Sequence, residues 1–129
     1  VCGGLGGVME AAARGCKKLN GMTVGILPSS DPSSANDYID IALPTSLGKF
    51  RNFLIVHSVD GVIAIEGKWG TLSEISMSLN LDIPTILINN TGGVVDWLCK
   101  NPITFDKKSY LIADTAKQAI DMLYSSLMK

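Results

Sequence analysis

The chain has one histidine, three cysteines, few aromatic residues and no block of like charge. With His57 alone there is no histidine-rich metal site, and no Ser–His–Asp or Cys–His arrangement is readable around it. His57 lies three and four residues from Leu54 and Phe53, the position of a structural histidine at the edge of an apolar stripe. Cys2, Cys16 and Cys99 are odd in number and lack metal-type spacing. They read as small apolar residues of a reduced, cytoplasmic protein. Eleven basic and twelve acidic residues give a formal net charge of −1 without a basic patch, which argues against nucleic-acid binding by charge. No apolar run is as long as a membrane span, and the opening VCGGLGG has no basic leader segment. Neither G-x-G-x-x-G nor the Gly-Lys-Ser/Thr of a P-loop occurs.

What the sequence does have is a chain of 129 residues, 47% hydrophobic and 18% charged, which suits a single domain over 1–129 with a real core. Its centre is Asp60–Glu74, DGVIAIEGKWGTLSE. Gly61–Ile65 is too short for a globular helix and is read as a buried strand. Gly67 and Gly70 make a turn, and Thr71-x-x-Glu74 is the start signal of a helix over Thr71–Leu81 with Leu72, Ile75 and Leu79 inward. Further strands are expected at Met22–Leu27, Tyr38–Leu43, Pro84–Ile88 and Tyr110–Ile112. Further helices are expected over Gly7–Leu19, Lys49–Ser58, Val94–Cys99 and Thr115–Leu127. Phe50, Phe53 and Leu54 are expected on one side of the Lys49–Ser58 helix. Ala116, Ala119, Ile120, Leu123 and Leu127 are expected to line one face of the last helix, with Thr115 and Gln118 as a capping box. Strands alternating with helices predict an α/β fold with a doubly wound parallel sheet. The polar Ser29–Asp37 loop has a length that hints at a role over a site.

Three glycine-rich turns each open a helix: Gly3–Gly7, Gly67–Gly70 and Gly92-Gly93. Right-handed crossovers would place them on one edge of a parallel sheet, where free N–H groups and helix dipoles favour an anion. Single glycine turns are usually only tight turns, whereas three on one edge favour a binding site. Lys68 and Glu66 read as solvated loop charges, with Lys68 a cation where a phosphate would dock. Trp69 reads as a hydrophobic lid or a stacking platform. Glu74 by itself is a capping-box carboxylate, and Arg51 by itself is a surface arginine.

The stretch EGKWGTLSE resembles the PGG-x-GT-x-x-E motif of the LOG-like, "lysine decarboxylase-like" Rossmann family, and is most similar to its branch of molybdenum cofactor carrier proteins. Thr71 and Glu74 fall on the motif's Thr and Glu, and Gly67 and Gly70 on its first and last glycines. Glu66 replaces the proline and Lys68 the second glycine. CGGLGGVME resembles the family's GG-x-x-G-x-M, with Gly3, Gly4, Gly7 and Met9 on the matching positions and Gly6 beside them. In the family this turn follows a second strand, so the resemblance implies roughly 30 further residues, one βα step, upstream.

The resemblance implies a binding protein for a nucleotide or a phosphate-bearing cofactor, molybdenum cofactor among them. Its ligand contacts would fall at Gly3, Gly4, Gly6, Gly7, Met9, Gly67, Lys68, Gly70, Thr71, Gly92 and Gly93. The alternative that it implies is a nucleoside 5'-monophosphate phosphoribohydrolase, with Arg51 and Glu74 as the catalytic pair and Glu74 stabilising an oxocarbenium-like transition state. Asn52 stands where the enzymes have a lysine, which suits the carrier branch. The altered PGG places a side chain where the family's backbone comes closest to its ligand. The resemblance also implies a homo-oligomer, a dimer or tetramer. Nothing suggests a pyridoxal lysine, a resident metal or a membrane partner.

Overall fold

The computed structural model describes residues 1–129, which divide into two compact units, Val1–Ser58 and Val59–Lys129. All strand pairing within the named strands is parallel, and the strands form two ladders, of two and three strands, where the sequence suggested one sheet.

In the first unit α1 (Val8–Lys18) precedes β1 (Val24–Leu27), which pairs with β2 (Ile41–Pro44). Pro44 lacks an N–H and is tolerated here because it ends an edge strand. A parallel bridge from Cys2 to Gly25 covers the other side of β1. The polar loop after β1 holds a single 3₁₀ turn, Pro32–Ser34, capped by the Asp31 carboxylate through the Ser33 N–H at 2.8 Å. Gly48–Phe50 is a second 3₁₀ turn leading into α2 (Arg51–His57). The inward face of α2 is not the expected aromatic one. Asn52, Ile55 and Val56, at helical spacing, are buried, whereas Phe50 and Phe53 are exposed and Phe53 stacks on His57.

The second unit contains β3 (Val62–Ala64), α3 (Trp69–Asn80), β4 (Thr85–Ile88), α4 (Gly93–Lys100), β5 (Leu111–Ala113) and α5 (Ala116–Leu127). Its sheet has the order β3-β4-β5. Every residue of β4 is buried, as a central parallel strand covered on both faces requires. One face packs Leu87 with Ala64, Ile75, Val95, Leu98 and Tyr110. The other packs Ile86 and Ile88 with Ala113 and Ala119. Each fully buried Leu or Ile here contributes about 1.5–3 kcal/mol. The packed face of α5 is narrower than its composition suggested. Ala119, Met122 and Leu123 meet the sheet, while Ala116, Ile120 and Leu127 are exposed. Thr115 does cap α5, accepting the Gln118 N–H at 3.1 Å, and Gln118 reaches back one residue further than a capping box, to the Asp114 N–H at 2.7 Å.

Candidate functional site

The first glycine turn leaves the sheet abruptly. Cys2 makes both its ladder bonds to the neighbouring strand, from its N–H to the Val24 carbonyl and from its carbonyl to the Ile26 N–H, each 2.9 Å. In a continuing parallel ladder the Gly4 N–H would take the Ile26 carbonyl. Instead Gly4 adopts φ 76°, and its N–H points to the Cys2 Sγ at 3.4 Å. The Ile26 carbonyl is taken by the Arg51 Nε–H at 2.9 Å. Arg51 also donates to the Gly3 carbonyl at 3.4 Å and to the Asn52 Oδ1. These three acceptors are neutral oxygens.

Gly3 and Gly4 are buried, and the space a side chain would need is filled. A Cβ on Gly3 would lie 2.5 Å from the Arg51 Nη2 and 2.7 Å from the Met9 Sδ, and one on Gly4 would press on Leu27 and the Gly25 backbone. Gly6 and Gly7 are exposed, with open space around them, at the head of α1. That head has no side-chain cap, and its first ladder bond runs from the Ala11 N–H to the Gly7 carbonyl. The polar loop touches this turn through Asn36, a residue the sequence did not single out. Its N–H donates to the Gly4 carbonyl and its Nδ2 to the Leu5 carbonyl, both at 2.8 Å. The only signal for it was the length of the loop.

The other two turns follow β3 and β4, parallel neighbours, and so lie on one edge of the second unit's sheet. They are locked to each other. The Val94 N–H donates to the Gly67 carbonyl at 2.8 Å and the Val95 N–H to the Glu66 carbonyl at 3.1 Å. The Glu66 N–H donates to the Thr91 hydroxyl at 2.9 Å, the hydroxyl donates to the Ile88 carbonyl at 2.8 Å, and the Thr91 N–H reaches the Asp96 carboxylate at 3.0 Å. Two of the leading amides of α4 are therefore occupied within the protein, and Gly93 serves close packing of one turn on the other. Thr91 and Asp96, which make this latch, were not legible as site residues in the sequence.

The capping-box reading of Thr71 and Glu74 is corrected. α3 starts at Trp69 with Lys68 as N-cap and no side-chain cap, which places Thr71 and Glu74 inside the helix. The Thr71 side chain instead lies over Gly67, where only a glycine leaves room for it. Lys68, Trp69 and Gly70 are exposed, and Glu74 is half-buried. Along α4, burial first, and then the charges of Asp96 and Asp114, push the Cys99 thiol up from its ordinary value, which keeps it protonated and suits a packing role.

Comparison with known proteins adds a family to this geometry. The chain superposes on TM1055, a structural-genomics target, with a TM-score of 0.86 and 31% identity, over 95% of this chain and 75% of that one. It superposes on the molybdenum cofactor binding protein of the phototrophic bacterium Rippkaea orientalis with a TM-score of 0.81 and 38% identity, over 94% and 72%. It also superposes on the molybdenum cofactor carrier protein of Chlamydomonas reinhardtii with a TM-score of 0.79 and 27% identity, over 98% and 76%. The fold is accordingly Rossmann-like. An uncharacterized protein of Archaeoglobus fulgidus is 49% identical over 77 residues, 60% of this chain but only half of that protein's length. The model of the SLOG cluster4 family, within the LOG-like superfamily, matches residues 1–122. The chain belongs to the SLOG cluster4 family.

Proposed function

We propose that this chain binds a small phosphate-bearing ligand, a nucleotide or molybdenum cofactor, and holds it without turnover. The observation that supports this most is the first turn. Gly3 is buried under Arg51 and Met9 and Gly4 against Leu27 and the Gly25 backbone, while Gly6 and Gly7 present open backbone at the uncapped head of α1. A helix start of this kind, with no side-chain cap on its leading N–H groups, favours an anion. The structural likeness to molybdenum cofactor binding and carrier proteins points the same way. Gly67, Lys68, Gly70 and Thr71 are candidate ligand contacts on the second unit's own turn, whose shape Gly92 and Gly93 would hold. A metal-bearing ligand would be cargo, held through its phosphate. No helix is long and apolar enough to cross a membrane. A cytoplasmic homo-oligomer is part of the same reading.

The test is mass spectrometry of ligand co-purifying with the protein, followed by incubation with a panel of nucleoside monophosphates. A carrier retains ligand and releases no free base. Glu74→Gln then discriminates between the two readings of the site. In a carrier, binding survives the substitution. Base release by the parent that disappears in Glu74→Gln would replace the carrier reading with hydrolysis.

A further inference from the structure

We propose that Arg51 is a positioning residue: its guanidinium ends the strand ladder at Cys2 and holds the first glycine turn open, and it does not itself bind the ligand's charge. The inference rests on the reading of that turn as an anion site. Its basis is the way the ladder stops. The Ile26 carbonyl is the acceptor that the next ladder N–H, that of Gly4, would take, and the Arg51 Nε–H occupies it at 2.9 Å. A planar guanidinium can donate to several acceptors in fixed directions. Here one N–H replaces the missing ladder donor and a second meets the Gly3 carbonyl at 3.4 Å, across the bend that it creates. A third meets the Asn52 side chain, which is itself buried in α2 and so fixes the plane. The guanidinium packs so closely on Gly3 that a Cβ there would lie 2.5 Å from Nη2 and 2.9 Å from Cζ. All these acceptors are neutral, so the bonds are geometric constraints, not charge pairs. Without them the Ile26 carbonyl loses its partner. Gly4 is then free to continue the ladder, which would draw Gly6 and Gly7 out of their exposed turn.

Lysine separates position from charge, because it keeps the charge but cannot span these acceptors as a fork. In Arg51→Lys, Arg51→Ala and Gly3→Ala, hydrogen exchange of the ligand-free protein should slow by about tenfold at the Gly4 amide, which gains the vacated Ile26 carbonyl as its ladder partner. Exchange within α1 at residues 13–17 should stay as in the parent. Inorganic phosphate, followed by calorimetry, should bind about tenfold or more weakly to Arg51→Lys as well as to Arg51→Ala. Exchange that rises equally at Gly4 and within α1 would reduce Arg51 to general stability and overturn the proposal. So would a Gly4 amide that exchanges in Arg51→Lys as it does in the parent, or Arg51→Lys binding phosphate like the parent. If the parent binds no phosphate, the anion reading of the turn fails, while the exchange arm still decides whether Arg51 sets the turn.

Discussion

Gly93 shows what a single backbone position does here. It sits at φ 58°, and a Cβ on it would run into the Gly67 carbonyl oxygen and the Glu66–Gly67 peptide. That oxygen accepts the Val94 N–H, so contact and hydrogen bond occupy the same few ångströms. Gly93→Ala should therefore destabilise the chain by about 1–3 kcal/mol from backbone strain, with roughly 1 kcal/mol more if the Val94 bond is lost. Denaturant unfolding would register the loss, and a variant as stable as the parent would show that the latch is loose. Gly92, beside it, would meet only the Glu66 side chain at 3.6 Å, yet it holds φ 98°, so its constraint is conformational alone. Glu66 itself is held at φ 54°. A non-glycine residue in that region is strained and persists where its surroundings fix it, as the Thr91 hydroxyl and the Val95 N–H do here. The sequence marked these glycines as turns. It did not show that two of the turns would use each other as hydrogen-bond partners, because that pairing joins residues more than twenty positions apart.

At the scale of elements, the short apolar runs between glycines and prolines identified β1, β3 and β4 to within two residues, because a fully buried parallel strand reads as a continuous apolar run. Helices were located as well as strands, but their faces were not. In α2 and α5 the apolar residues outnumber those the core accepts. Burial chose Asn52 with Ile55 and Val56 over the aromatics, and Ala119 with Leu123 over Ile120. α3 conceals a polar pair inside its apolar face. Ser78 and Thr85 are buried, their hydroxyls 2.7 Å apart, and each has a second oxygen partner, the Ile75 carbonyl for Ser78 and the Ile83 carbonyl for Thr85. Since each keeps that second bond, Ser78→Ala or Thr85→Val alone should cost about 1 kcal/mol, the net value of one hydrogen bond. The double variant should cost about the sum, because the two hydroxyls have two protons for these three contacts and each substitution removes one donor and so one bond. A double variant that departs far from that sum in thermal or denaturant unfolding would mean that the remaining hydroxyl does not turn to its own carbonyl in the single variants.

For the molecule as a whole, the alternation of strands and helices made the α/β class legible, while the division into two units was not. It depends on which strands pair, and the apolar runs mark the strands without naming their neighbours. The division has a consequence in acid. Asp31 and Asp40, carboxyls held below their ordinary value of 3.8, lie in the first unit. Asp31 is lowered by the hydrogen bond from the Ser33 hydroxyl and then by the Ser33 N–H. Asp40 is lowered first by the Lys17 ammonium at 2.8 Å and then by the Thr23 N–H at 2.8 Å, a contact that ties α1 to the segments flanking β1. A carboxyl whose folded value is depressed stabilises the fold above its unfolded value, and that contribution is lost as pH falls through the lower, folded one. Both groups are solvent-exposed, so the contribution is modest and screened by salt. On titration from pH 6 to below 3.8, hydrogen exchange corrected for its intrinsic pH dependence should rise first in Val1–Ser58. The rise should be steeper at low ionic strength. Asp40→Asn should make the first unit less protected at neutral pH, and the difference from the parent should shrink only as the pH falls below 3.8 and on through the lowered folded value, where the parent carboxyl itself takes up a proton. A parent whose two units lose protection together, or an Asp40→Asn deficit that stays constant down to acid pH, would show that the Lys17–Asp40–Thr23 contact does not set the acid response.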